Sequence, residues 1–247
     1  MAKEYRDLIV GLDIGTSKIM CVVAEVQADA ALKVLGLGVS PSSGMKRGVV
    51  VNIDACVQSI LQAVREAELM AACKITRVIT GITGSHIRGR NSTGMVAVRD
   101  REVSPADVAK VLETARAINI STDQRPLLVE PQEFVIDGQE VKEPIGMSGI
   151  RLESKVHIVT CAQSAAENIL KCVRRCGLEV DHLMLNPLAA SMATLTEDER
   201  ELGVVLIDIG AGTTDIAVFS GGAIRHTAVL PVAGELITSD IAMALRT

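Results

Sequence analysis

Two short stretches hold the residue types that grip a phosphate chain. One is Asp13-Ile14-Gly15-Thr16-Ser17-Lys18, the other Asp208-Ile209-Gly210-Ala211-Gly212-Thr213-Thr214. A tight turn of glycines and hydroxyl residues can aim successive backbone N–H groups at one point. Such a concavity binds phosphate because each donor carries a fixed partial positive charge. Thr16, Ser17, Thr213 and Thr214 add hydroxyl donors. Gly15, Gly210 and Gly212 are expected where the chain needs positive φ or where a side chain would block the ligand. An aspartate at each strand tip would repel a bare polyphosphate, so Asp13 and Asp208 make sense with Mg²⁺ between them, held largely through water. Either turn alone also reads as an ordinary hairpin whose Asp and Gly favour bending. Two such turns, each behind an aliphatic strand and a domain's length apart, favour the phosphate reading.

Other phosphate sites do not fit. The chain has no G-x-x-x-x-G-K-[ST] loop, and no G-x-G-x-x-G opens a helix after the first aliphatic run. The four histidines are dispersed and read as surface or core residues. Cys172 and Cys176 would share a helix face but lack a third ligand nearby in sequence, so all six cysteines read as reduced core thiols.

The elements that position the turns follow from periodicity. Residues 8–14 and 19–26 are aliphatic strands flanking the first turn, 32–39 is a third, and 41–44 is a loop. Asp54 opens a helix with one apolar stripe, Val57, Ile60, Leu61, Val64 and Ala67, and a β-branched strand follows over 77–83. From Ser85 the pattern changes to short strands (95–98, 127–136, 156–161) around one helix, which Ser104 caps and Pro105 begins. That segment reads as an insertion. The parent pattern resumes with a capping box at Ser164–Glu167 and a helix ending at Gly177. Residues 197–201 (E-D-E-R-E) read as a solvated loop. Residues 207–218 then repeat the order seen at 12–23, which points to duplication of a whole domain.

Composition narrows the function classes. With 48% apolar and 22% charged residues the chain is a packed globule. A net charge of −5 without a basic cluster argues against a nucleic-acid surface, and 1% aromatic content leaves little to stack bases on. No apolar run approaches the ~20 residues that cross a bilayer, and the charged amino terminus lacks a signal segment.

At these turns the sequence resembles the actin, Hsp70 and sugar-kinase superfamily, and within it the FtsA family of bacterial cell-division proteins. The stretches that carry the narrower likeness are P-S-S-G-M-K-R-G-V-V-V-N-I-D at 41–54, S-K-V-H-I-V-T-C at 154–161, R-C-G-L-E-V-D at 175–181, L-T-E-D-E-R-E-L-G at 195–203 and G-G-A-I-R-H-T-A-V-L-P-V-A-G at 221–234. The resemblance implies an α/β, actin-like (ribonuclease H-like) nucleotide-binding fold with an inserted α+β subdomain. The first lobe would occupy 1–84, the insert 85–162, the rest of the first lobe and a linking helix 163–202, and an incomplete second lobe 203–247.

It also implies ATP and Mg²⁺ as ligands. Asp13, Gly15, Thr16, Ser17 and Lys18 would form the first phosphate loop, and Asp208, Gly210, Ala211, Gly212, Thr213 and Thr214 the second. Gly234 would begin the adenosine side. Ala211 departs from the commoner glycine and is tolerable only at negative φ. Where chaperones of the superfamily carry a glutamate before the proline of the linking helix, this chain has Asn186, which orients a water but cannot take its proton. The expected partners are FtsZ, further copies of the chain in filaments, and later division proteins through the insert. The cytoplasmic membrane would be reached through a carboxy-terminal amphipathic helix beyond Thr247. With the adenosine wall also beyond Thr247, the 247 residues alone are expected to bind ATP weakly. Competing readings are a pilus-assembly actin-like module and a sugar-kinase or chaperone-type ATPase.

Overall fold

The computed structural model describes residues 7–247; the charged residues 1–6, read above as lacking a signal segment, lie outside them. The chain begins with three antiparallel strands, β1 (Leu8–Ile14), β2 (Lys18–Val26) and β3 (Leu32–Pro41). A small hairpin, β4 (Met45–Lys46) and β5 (Val49–Val50), follows just after the stretch read as a loop at 41–44, in residues to which periodicity assigned no element. Helix α1 (Ile53–Ala71) is capped by Asn52, whose side chain accepts the Ala55 N–H, so it starts one residue earlier than Asp54 suggests. Strand β6 (Arg77–Ile82) returns parallel to β1, and β11 (Glu179–Leu185) later adds parallel to β6, giving a sheet ordered β11-β6-β1-β2-β3. Val57, Ile60, Val64 and Ala67 of α1 bury against this sheet with Leu12, Ile19, Cys21 and Val23, forming the largest core.

The insert leaves the first sheet after β6. It holds β7 (Arg88–Ala97), α2 (Pro105–Arg116), β8 (Gln124–Ile136), β9 (Gln139–Val141) and β10 (Arg151–Ala162), a sheet ordered β7-β10-β8-β9. Helix α2 begins with the Ser104–Asp107 capping box and lays Val111 and Ala115 on that sheet. The strands run longer than their apolar cores, because antiparallel pairing continues through the polar residues on either side.

After the insert, α3 (Gln163–Arg175) corrects the expected capping box. The helix starts directly from β10 with Ala162 at its cap position and no side-chain cap bond, and Glu167 accepts from Gln163 instead of from Ser164. Helix α4 (Asn186–Thr194) opens at Asn186-Pro187 straight from β11. The acidic run is also corrected. Thr196 and Glu199 form a reciprocal capping box, and α5 (Glu197–Leu202) is a short helix with Glu197, Asp198 and Glu199 placed favourably in its first turn. Strands β12 (Val204–Ile209), β13 (Thr214–Ser220) and β14 (Ala223–Leu230) form an antiparallel sheet, and α6 (Gly234–Leu245) follows. Among the described residues no helix is long and apolar enough to cross a membrane.

The insert also docks on this last sheet. Gln132 and Asn91 donate their side-chain amides to the Ile224 carbonyl (2.8 Å) and the Arg225 carbonyl (3.3 Å) of β14. Arg225 pairs with Glu133 at 2.8 Å, and Lys142 reaches Glu201 of α5. At the centre His157, 1% exposed, bonds Asn91 through Nδ1 (2.6 Å) and the Thr227 hydroxyl through Nε2 (2.9 Å). Burial, and then the nearby His226, pull its imidazole down from 6.5 to about 4. A histidine depressed in this way stabilises the fold fully above its ordinary value, and that contribution is lost as pH falls through the lowered one. The His157→Gln protein is therefore expected to be less stable than the parent at neutral pH by about 1–3 kcal/mol, with the gap closing as pH falls from 6.5 toward 4. Denaturant melts across that window measure it; a gap that stays constant would refute a neutral, buried His157.

Candidate functional site

The two turns named from sequence are built alike. In the first, the Gly15 N–H donates to the Lys18 carbonyl at 3.1 Å; in the second, the Gly210 N–H donates to the Thr213 carbonyl at 2.9 Å. Each joins a strand ending in Asp-Ile to its antiparallel neighbour. The reason for glycine differs from one of those expected: none of Gly15, Gly210 or Gly212 has positive φ. Proximity decides instead. A Cβ on Gly15 would lie 2.7 Å from the Lys18 carbonyl oxygen, and one on Gly212 would lie 2.6 Å from the Thr16 hydroxyl of the other turn. Ala211 is likewise not among the residues at positive φ, so its methyl group is accommodated.

These turns face one another across a cavity of about 460 Å³. Its lining includes Asp13, Gly15, Thr16, Ser17 and Lys18 from the first turn and Asp208, Gly210, Ala211, Gly212 and Thr213 from the second. Two expected residues stand elsewhere. Thr214 donates its hydroxyl to the Val232 carbonyl at 2.7 Å, and the Gly234 N–H is taken by the Gly210 carbonyl at 3.1 Å, so both support the second turn from outside the cavity.

Ile209 and three polar residues complete the lining. Asn186 donates to Asp13 across 3.5 Å, while its own Oδ1 is buried without a hydrogen-bond partner. Thr83 and Asp215, passed over in the sequence, join the two halves: the Thr83 hydroxyl, just after β6, donates to Asp215 of β13, which also accepts from Thr213 at 3.2 Å. A period-two reading of the second strand carries the signal for Asp215. Thr213, Asp215, Ala217 and Phe219 are all buried on one face, and an aspartate in that series needs partners.

Electrostatics make the cavity hungry for a cation. Desolvation by the surrounding walls, although the carboxyl opens on the cleft, pushes Asp13 above its ordinary value, and the facing Asp208 adds to this; Lys18 and Asn186 pull back. Asp215 is raised too, first by burial, with the Thr83 and Thr213 hydroxyls opposing. Among the described residues no three His, Cys, Asp or Glu side chains converge to hold a metal directly. The donor set of two opposed carboxylates suits a hydrated Mg²⁺ whose waters bridge to protein oxygens.

Matched Asp-Gly turns closing on one cavity between a ribonuclease H-like sheet and a second hairpin sheet define the actin-like class of folds. A solved PilM-PilN type IV pilus biogenesis complex shares the architecture, with a TM-score of 0.68 at 20% identity over 97% of this chain and 66% of that one. Family models match twice: the SHS2 domain inserted in FtsA over residues 84–160, and cell division protein FtsA over 205–247. The cell division protein FtsA of Pseudomonas aeruginosa is 61% identical over 97% of this chain, and that of Neisseria meningitidis serogroup B is 56% identical over all of it. The chain belongs to the FtsA family. It spans 58% and 60% of the length of those two relatives.

Proposed function

We propose that this chain is the nucleotide-gripping part of an actin-like adaptor in bacterial cell division. The two phosphate turns hold MgATP, with Mg²⁺ bound through water to Asp13 and Asp208. Bound ATP then serves as a structural switch more than as fuel. In the whole protein, FtsA-type polymers tether FtsZ to the cytoplasmic face of the membrane at the Z ring, and the insert joins subunits or later division proteins. One observation carries the nucleotide reading: both Asp-Gly turns line a single cavity in which Asp13 and Asp208 face one another, and Lys18 offsets only part of the resulting rise in the Asp13 titration. The cell-division role rests on the identity to FtsA relatives, which favours it over the pilus-assembly and kinase readings.

Slow turnover follows from Asn186. It stands beside Asp13 where a general base would be wanted, and an amide accepts no proton. Bound Mg²⁺ would supply charge neutralisation for the phosphates; the chain's own groups orient and exclude water. A full-length protein carrying these residues is expected to hydrolyse ATP far below ordinary enzyme rates of about 10 per second. Its Asn186→Glu form should turn over faster, because a carboxylate then stands at that position. A phosphate-release assay on both checks this, and unchanged turnover in the variant would remove Asn186 from the account. Co-pelleting of the full-length protein with FtsZ polymers tests the adaptor role, and its absence would count against the tether.

A further inference from the structure

The β4–β5 hairpin has no part in the site as described, yet its turn lies where the site's segments meet. The Gly48 N–H donates to the Thr16 hydroxyl oxygen at 3.1 Å. Were Gly212 given a Cβ, that atom would be 2.9 Å from the Cα of Arg47, so the second phosphate turn rests directly on the same hairpin. On its other side, a Cβ on Gly48 would lie 3.1 Å from both the Gly84 Cα and the Thr83 carbonyl oxygen. The Thr83 hydroxyl in turn holds Asp215. The contacts therefore close a ring, from Thr16 through Gly48 to Thr83, on to Asp215 and Gly212, and back to Arg47.

Backbone geometry at this turn is specialised. Arg47 (φ 49°) and Gly48 (φ 76°) are both left-handed, the pattern of a tight two-residue hairpin turn that ordinarily takes Asn-Gly. Arginine in that conformation is strained, and such strain persists only where surrounding contacts fix it. The Gly48 bond also settles which way the Thr16 hydroxyl faces. Its oxygen accepts from Gly48, so its hydrogen is left to donate into the cavity.

We propose that the Arg47-Gly48 turn is a positioning element for the phosphate site, acting through its backbone: it orients the Thr16 hydroxyl and sets the spacing of the first phosphate turn from the second. This rests on the phosphate-binding reading above. The ligand class is the polyphosphate portion of a magnesium nucleotide, and neither residue touches it.

Magnesium tripolyphosphate is the probe, because it needs only the two turns and not an adenosine wall; a ³¹P NMR titration of the 247-residue chain follows it. Gly48→Ala and Thr16→Val are each expected to weaken binding about tenfold or more. The double variant should bind no worse than the weaker single one, since both break the same link. Arg47→Gly, which keeps the turn and removes the guanidinium, should stay within about twofold of the parent. Hydrogen exchange at the Gly48 amide gives a second reading that does not depend on Gly48→Ala folding: its protection should fall in Thr16→Val. Folded Gly48→Ala with parental affinity, additive losses, unchanged Gly48 exchange in Thr16→Val, or a tenfold loss in Arg47→Gly would each overturn the positioning role while leaving phosphate binding intact. A parent chain that binds no tripolyphosphate at all would overturn the phosphate reading and this inference with it.

Discussion

Asp13→Asn is expected to bind magnesium nucleotide on the order of 10–100-fold more weakly than the parent, yet to melt at a higher temperature without ligand near pH 7. The binding loss is that of a charge-assisted contact, about 1.5–3 kcal/mol. The gain in stability follows from the carboxyl's raised titration, caused by desolvation and then by Asp208. A carboxyl whose folded value exceeds its unfolded one stabilises the fold fully in acid, and that contribution is lost as pH rises through the raised value. At neutral pH the ionised group therefore works against the fold, and an amide of the same shape removes the penalty. The advantage of the variant should shrink on acidification toward 3.8, the ordinary value. Calorimetric melts at pH 5 and 7 with a MgATP or tripolyphosphate titration decide it: a variant that melts below the parent at pH 7 would show that Asp13 is not held at a cost. Such opposition between stability and binding is common where a site is built for a ligand that neutralises it.

The second large effect lies in the packing behind the site. Gly38 of β3 faces the small-residue stripe of α1, and a Cβ there would fall on the Ala63 carbonyl oxygen and 2.7 Å from the Ala67 N. Neither backbone atom can swing aside, so the whole helix must lift from a core that includes Ile60, Ala63 and Ala67. Gly38→Ala is expected to cost about 3 kcal/mol, lowering the melting temperature by roughly 6–12 °C for a chain of this size. Gly11 in β1 is the control: nothing lies within 4 Å of a Cβ there, so Gly11→Ala should change stability by less than about 0.5 kcal/mol. Thermal melts of the two variants side by side are the measurement, and equal melting temperatures would discard the close-approach account.

Much of the architecture was legible because it is written in short-range patterns. The aliphatic runs flanking each turn became β1, β2, β12 and β13, and the stripe from Val57 to Ala67 became the buried face of α1. The insert declared itself through a change of pattern near Ser85, and Ser104-Pro105 marked its helix to the residue. What escaped depends on partners distant in sequence. Asp215 matters because Thr83, 132 residues away, donates to it, and no local spacing reveals that. Thr214 resembles Thr213 as a type, yet the strand pleat turns it toward Val232 and away from the cavity. The capping box expected at Ser164 was a motif without its context: β10 runs directly into α3, so no loop residue occupies the cap position. The acidic run erred the other way. Five charged residues suggested solvent-exposed coil, whereas Thr196 three residues ahead of Glu199 is a helix start.

The docking of the insert on β14 bears on how such a molecule can move. An insert rooted in one half at Gly84 and fastened to the other through His157, Gln132 and Glu133 gives the groove two supports, one at its floor and one along its flank. Parting the halves would shear a buried imidazole and an ion pair, so rotation of β12–β14 as a unit has to carry β7, β8 and β10 with it. If the proposed nucleotide binds between Asp13 and Asp208, the outlying sheet would feel it as a tilt of its own base, with no separate messenger required between them.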